Sequence, residues 1–232
     1  MASSSSTVAR SRQPHSSLHP DDAMAMRAAA LSAWARRNAR MIMAISAVAV
    51  VLVGGLLIWK YNQAQRRAAA AEALLSLRAN PAVVTAAGGS QLERYIRSYN
   101  GTPEADEARL MLAEQRLNAG NPRGAISQLT AVANGGSPLA SQAGMMLGSA
   151  YAQAGDRNAA IRAYEAAAEK SRLKYQRIEA LGQAALQHEL AGNYKAAVEA
   201  YDRALAETEP NTQITAEVEM RRTEAQAKAG GR

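Results

Sequence analysis

Cysteine and phenylalanine are both absent from this 232-residue chain. Without cysteine there are no disulfides, no thiol nucleophile, no zinc site built on thiolates and no lipid-modified cysteine anchor. The compartment stays open, since a cysteine-free chain is compatible with an oxidising one. Aromatic residues are only 4% of the total, yet 48% is apolar, with alanine carrying much of it. A core with so few large side chains must bring backbones close together, which favours helices packed on helices. Outside one segment there are no long runs of Val, Ile and Thr, which argues against a sheet. Catalytic patterns are missing too: no Gly-rich phosphate loop, no His-Glu-x-x-His and no nucleophile motif. Of the three histidines, His15 and His19 fall in a Ser-rich tail and read as solvated residues rather than a metal site. His188 reads as core filler or a satisfied hydrogen-bonding group. The chain is therefore expected to be neither an enzyme nor a binder of metals, cofactors or small-molecule substrates.

The net charge of +7 invites a nucleic-acid reading until it is divided by region. Residues 1–40 hold six Arg against Asp21 and Asp22, whereas residues 60–232 hold 21 Lys and Arg against 18 acids. The basic excess is concentrated at the N-terminus, and the remainder is an ordinary mixed surface, so nucleic acid is not expected as a partner.

The stretch "MIMAISAVAVVLVGGLLIW", Met41 to Trp59, carries no charge for 19 residues. As a helix it would extend about 28 Å, close to the hydrocarbon thickness of a bilayer. Arg36, Arg37 and Arg40 bound it on one side and Lys60 on the other, with Trp59 and Tyr61 where interfacial aromatics belong. A cleaved signal peptide would have a shorter leader and a small-residue cleavage site. A core helix would rarely be apolar all round for five turns. The stretch reads as one uncleaved transmembrane helix. The tight "ARRNAR" cluster places the N-terminal side in the cytoplasm and the C-terminal region outside it.

Flanking segments complete the organisation. Residues 1–20 are Ser-rich without apolar period and are expected to be disordered. Residues 21–40 form a basic juxtamembrane helix, 41–59 the span and 60–80 a stalk helix. Residues 81–228 are read as a repeat domain, with repeats at about 106–139, 141–174 and 178–211 and a capping helix at 212–228. "GSQLERYIRSYNGTP" reads as the second half of a degenerate unit, helical from roughly Gln91 to Tyr99.

Three copies of one pattern carry the repeat reading: "LNAGNPRGAISQLTAV", "AQAGDRNAAIRAYEAA" and "ELAGNYKAAVEAYDRA". Gly120, Gly155 and Gly192 are offset by 35 and 37 residues, a period that signals stacked supersecondary units. Each unit is predicted to be a helix, a glycine turn and a second helix capped by Asn121, Asp156 or Asn193. Ala125, Ala160 and Ala197 mark helix crossings; Leu129, Tyr164 and Tyr201, one turn later, fill the space against the neighbouring unit. Gly148 and Tyr151 occupy the packed face of the middle copy's first helix.

This spacing resembles the tetratricopeptide repeat, most closely in Gly148, Tyr151, Ala160, Tyr164 and Ala167. The resemblance implies an all-α helix-turn-helix solenoid whose concave surface is lined by first helices. It assigns that lining to Glu107, Leu110, Glu114, Leu117 and Asn118, then Gln142, Met145, Ser149, Ala152 and Gln153, then Glu179, Gly182, Leu186, Glu189 and Leu190. Candidate peptide-binding residues are Glu114, Asn118, Met145, Ser149, Gln153 and Glu189. The lining mixes apolar patches with acids, which suits extended or basic, apolar-containing polypeptide. As a whole the chain resembles the YfgM-type family of bacterial inner-membrane proteins, most closely over "SYNGTPEADEARLMLAEQRLNAGNPRGAISQL". That likeness implies a periplasmic repeat domain and an ancillary role at the secretory translocon, handing emerging chains to chaperones. Two expectations follow. One is a membrane-anchored scaffold or chaperone-like adaptor; the other is an organiser of an envelope complex for division or outer-membrane assembly, acting through the membrane helix and cytoplasmic tail.

Overall fold

A computed structural model describes residues 20–84 and 86–231, and every regular element among them is helical. The expectations for the Ser-rich tail, His15 and His19 lie outside the described residues. The described residues divide into two compact units, the first ending at Tyr61 and the second beginning at Asn62.

In the first unit, α1 runs Pro20–Arg37 and α2 begins at Ala39. Arg36 and Arg37 close α1, where cations favour the negative end of the helix dipole. The Asn38 side chain donates to the Trp34 carbonyl at 3.0 Å between the two helices. α2 spans Ala39–Arg78 and contains both the segment read as the membrane span and the segment read as a stalk. It is long and apolar enough to cross a membrane, and none of its most apolar window is buried by protein. Val51 is 72% exposed and Leu52 67%, which is not the packing of a core helix.

The second unit begins within α2. Ala70 and Leu74 are buried, and the Tyr95 hydroxyl donates to the Ala70 carbonyl at 2.7 Å. A short 3-10 turn at Pro81–Val84 leads to α3 (Ala86–Ser98), which starts earlier than the sequence pattern indicated. Leu74, Val83, Leu92, Tyr95, Ile96, Ala108 and Leu112 form one cluster. The segment read as a stalk helix thus supplies buried surface to the degenerate unit.

Three helix pairs follow: α4 (Pro103–Asn118) with α5 (Pro122–Ala133), α6 (Ala140–Gln153) with α7 (Arg157–Lys170), and α8 (Lys174–Leu190) with α9 (Tyr194–Leu205). The last helix is α10 (Gln213–Gly230). The turns obey local chemistry. Gly120, Gly155 and Gly192 have φ of 70°, 83° and 77°. Each lets the next residue donate back to the carbonyl five earlier: Asn121 to Arg116 at 2.8 Å, Asp156 to Tyr151 and Asn193 to His188 at 2.9 Å. The glycine amides themselves donate to the carbonyls of Leu117, Ala152 and Glu189, so each turn satisfies two carbonyls of its first helix.

Capping differs between copies. Asn121 accepts from the Gly124 amide at 3.0 Å and Asp156 from Ala159 at 2.9 Å, but Asn193 makes no side-chain cap bond. The expectation of a third cap therefore fails at Asn193. Asp156→Ala is expected to cost about 1 kcal/mol in urea denaturation of the full chain in non-ionic detergent, and Asn193→Ala only a small fraction of that.

Every crossing and filling position of the pattern is buried: Ala125, Ala160 and Ala197 are 0% exposed, and Leu129 and Tyr201 likewise. The middle copy shows why its residues are small. A Cβ added at Gly148 would lie 2.6 Å from the Tyr164 ring, and one at Gly144 would lie 2.9 Å from the Ala167 Cβ. Glycine on α6 is what lets α7 and its tyrosine approach. His188 is half-buried and its buried Nδ1 has no hydrogen-bond partner among the described residues, so of the two expectations, core filler or a satisfied group, the second is not met at Nδ1.

Burial pushes the Tyr95 hydroxyl up to about 12, with the nearby Glu104 carboxylate adding to the shift. Tyr164 and Tyr201 are also raised, chiefly by burial. The unfolded chain ionises tyrosine near pH 10, earlier than the folded chain does. This contribution to stability is therefore complete below about pH 10 and is lost as the pH rises through the folded values. In an alkaline titration, part of the absorbance change of the eight tyrosines should appear only together with loss of helical signal.

Candidate functional site: the face of the first helices

By the repeat pattern, α4, α6 and α8 present the face assigned to ligand, with α10 in the next place. Glu114 and Asn118 are exposed and line a cavity of about 150 Å³ with Val83, Leu92, Met111 and Gln115. Gln153 is exposed, its amide 3.4 Å from the Ser149 hydroxyl. Ser149 is half-buried, and its hydrogen bond to the Tyr164 hydroxyl partly opposes the effect of burial there. Met145 is half-buried and packs against Tyr164 and Ala184 on one side and the α8–α10 core on the other.

Glu189 is committed within the chain. One of its oxygens accepts from the Tyr201 hydroxyl at 2.8 Å and the other from Lys228 Nζ at 3.1 Å. Lys228 also stands 5.9 Å from the centre of the Tyr194 ring. Donation to Glu189 holds the Tyr201 proton in place, adding to the effect of burial. The arrangement ties α8, α9 and α10 together, and an ion pair between Arg222 and Asp202 does the same for α9 and α10.

A mainly apolar opening on this face lies between α8 and α10. It has a volume of about 350 Å³ and is lined by Tyr175, Ile178, Glu179, Gly182, Gln183, Leu186, Tyr201, Ile214, Glu217, Val218 and Arg221. Three of these, Glu179, Gly182 and Leu186, are positions the repeat pattern assigned to the lining. The α10 wall was not anticipated, because that helix was read as a cap with a solvated face. Its signal was the helical spacing of Ile214, Val218 and Ala225, of which Val218 and Ala225 are buried. Tyr175 and Ile214 remain 57% and 49% exposed at the mouth, so apolar surface there is left uncovered.

The charges around the opening are mostly satisfied. Lys174 pairs with Glu209 at 2.8 Å, Arg177 with Glu207 at 2.7 Å and Arg221 with Glu217 at 3.3 Å. Hydrogen bonds from Arg177 and Lys174 hold the Glu207 and Glu209 carboxyls below the usual range. Among the described residues Glu179 makes no ion pair, and no group of three or more His, Asp or Glu is placed to hold a metal.

The model of the tetratricopeptide repeat-like domain matches residues 32–227. The chain belongs to the tetratricopeptide repeat-like family. The match starts ahead of the apolar run at Met41 and continues to the last helix, so the apolar helix is part of the matched architecture. Membership implies a role in protein–protein interaction, on a fold that typically serves as a non-catalytic adaptor. No curated protein and no solved structure gives a significant match. The flanking residues fall on the helices of the apolar region: Arg36 and Arg37 end α1, Arg40 opens α2, and Trp59 and Lys60 are exposed in its middle.

Proposed function

We propose that this protein is a single-pass membrane-anchored adaptor whose repeat domain binds polypeptide outside the cytoplasm. The observation that carries the reading is the long apolar helix without protein cover, joined in one family match to helical repeats that leave apolar surface open. A bilayer supplies the missing cover for α2. The positive cluster Arg36, Arg37 and Arg40 favours retention of the N-terminal side in the cytoplasm. The repeats then face the periplasm of a bacterial inner membrane. The resemblance to the YfgM-type family supports a station beside the secretory translocon, with emerging chains and chaperones as partners. Glu114, Asn118, Met145, Ser149, Gln153 and the α8–α10 opening belong to the polypeptide-binding face; Glu189 serves that face by holding α10 in place.

Topology tests the proposal directly, because the chain has no cysteine of its own. Gly136 is exposed in the α5–α6 loop and a Cβ there meets nothing within 4 Å. Gly136→Cys and, separately, Ser5→Cys are labelled in intact cells with a membrane-impermeant thiol reagent. Labelling at 136 and not at 5 is expected, followed by photocrosslinking of exported chains from Gln153. The reverse pattern would overturn both the orientation and the secretory role.

A further inference from the structure

The third repeat lacks the side chain that fills the corresponding space in the other two. At one pattern position the copies carry Leu110, Met145 and Gly182. Leu110 is buried against the α4–α5 core, and Met145 packs between two clusters. Gly182 stands at the middle of α8, where glycine costs about 1 kcal/mol relative to alanine. Gly148 and Gly144 are explained by the ring and methyl group that press on them. Nothing lies within 4 Å of a Cβ built at Gly182. No contact within the chain requires glycine there, and its effect is to keep one wall of the α8–α10 opening clear.

The electrostatics select among occupants. Of the charged residues that line the opening, Arg221 and Glu217 pair with each other, and Glu179 has no ion pair among the described residues. The unmatched charge is therefore negative, beside a vacant apolar space flanked by exposed Tyr175 and Ile214.

We infer that the α8–α10 cleft receives one aliphatic side chain of Leu or Met size from an extended polypeptide, with an adjacent Lys or Arg of that polypeptide on Glu179. This rests on the reading of the repeat domain as a polypeptide binder and names the residue pair that the binder selects. The ligand's side chain takes the place that Leu110 and Met145 take in the other copies. Burial of such a group supplies the attraction, and the carboxylate sets the preference for a basic neighbour.

The test uses the full chain in zwitterionic phosphatidylcholine nanodiscs, with empty discs subtracted. The probe is a fluorescent ten-residue Gly-Ser peptide containing two Leu-Lys pairs. Its analogues carry Ser for Leu or Glu for Lys, and binding is read by anisotropy. Gly182→Leu restores the residue of the first copy and fills the cleft. It should weaken Leu-Lys peptide binding by about tenfold or more while helical content and melting are kept. Glu179→Gln should weaken the Leu-Lys peptide by roughly twofold to fivefold, an effect that fades with salt, and should leave the Leu-Glu peptide unaffected. Unchanged Leu-Lys binding in Gly182→Leu would overturn the cleft assignment while leaving the polypeptide-binding reading intact. Failure of the unaltered chain to bind any of the peptides would overturn both. Particle mass is measured in parallel: a dimer that Gly182→Leu dissociates would show a second copy covering the cleft, and would overturn the inference.

Discussion

Replacing Tyr201 by alanine is expected to lower the stability of the repeat unit by about 3–5 kcal/mol, the usual cost of truncating a buried aromatic ring. The side chain is fully buried, at 0% exposure, among α8, α9 and α10. Its loss removes the ring from the last core and leaves Glu189 with Lys228 alone. Tyr201→Phe separates the two contributions: it keeps the ring and deletes only the hydrogen bond to Glu189, an expected cost of about 0.5–1.5 kcal/mol. Repeat arrays are held by nearest-neighbour interfaces, so the damage should be local. In the alanine variant α10 is expected to detach first, read as faster proteolysis in the 206–212 connection. Urea denaturation of the full chain in detergent supplies the magnitude. A loss below about 1.5 kcal/mol for Tyr201→Ala would mean that the ring is not what fastens α10 to the array.

Gly148→Ala is expected to destabilise by up to about 2 kcal/mol, although alanine is the better helix former. Two effects oppose each other at this position. Helix propensity favours alanine by about 1 kcal/mol, whereas overpacking a filled core costs typically about 1–3 kcal/mol. The 2.6 Å approach to the Tyr164 ring decides the sign, because the contact is with the body of a ring that is only 5% exposed. The same substitution at Gly182, where a Cβ meets nothing, should instead stabilise by up to about 1 kcal/mol. A double-mutant cycle with Tyr164→Ala checks the cause: most of the cost of Gly148→Ala should vanish once the ring is gone. Equal effects of alanine at positions 148 and 182 would show that close packing is not what requires glycine on α6.

The repeat was legible because its determinants are local. A left-handed residue is needed to end each first helix, and glycine adopts that conformation without a steric cost, so Gly120, Gly155 and Gly192 mark the turns. Helical spacing then places the crossing alanines and the filling Leu or Tyr. Capping was read less well. Asn193 has a capping residue type at the right place but makes no cap bond, since residue identity does not set side-chain direction. The segment after Lys60 read as a stalk because its alanines carry no strong pattern. Its partner face, Tyr95 on α3, lies 25 residues from Ala70.

The candidate site was legible only in part. The pattern named Glu179, Gly182, Leu186 and Glu189 alike as lining, with Glu189 a candidate peptide-binding residue, but it offered no means of distinguishing the two acids. Tyr201 and Lys228, which occupy Glu189, lie 12 and 39 residues away along the chain. Sequence by itself determined the unit: its period, its turn, its buried positions and the apolar helix ahead of it. These follow from backbone geometry and the hydrophobic effect acting over one or two turns. Only the tertiary structure decided which acid is occupied and which is unmatched, and which glycine is squeezed and which is open. Those distinctions depend on distances between helices, and the residues that set them, such as Arg177 and Glu207 at a separation of 30, share no periodicity.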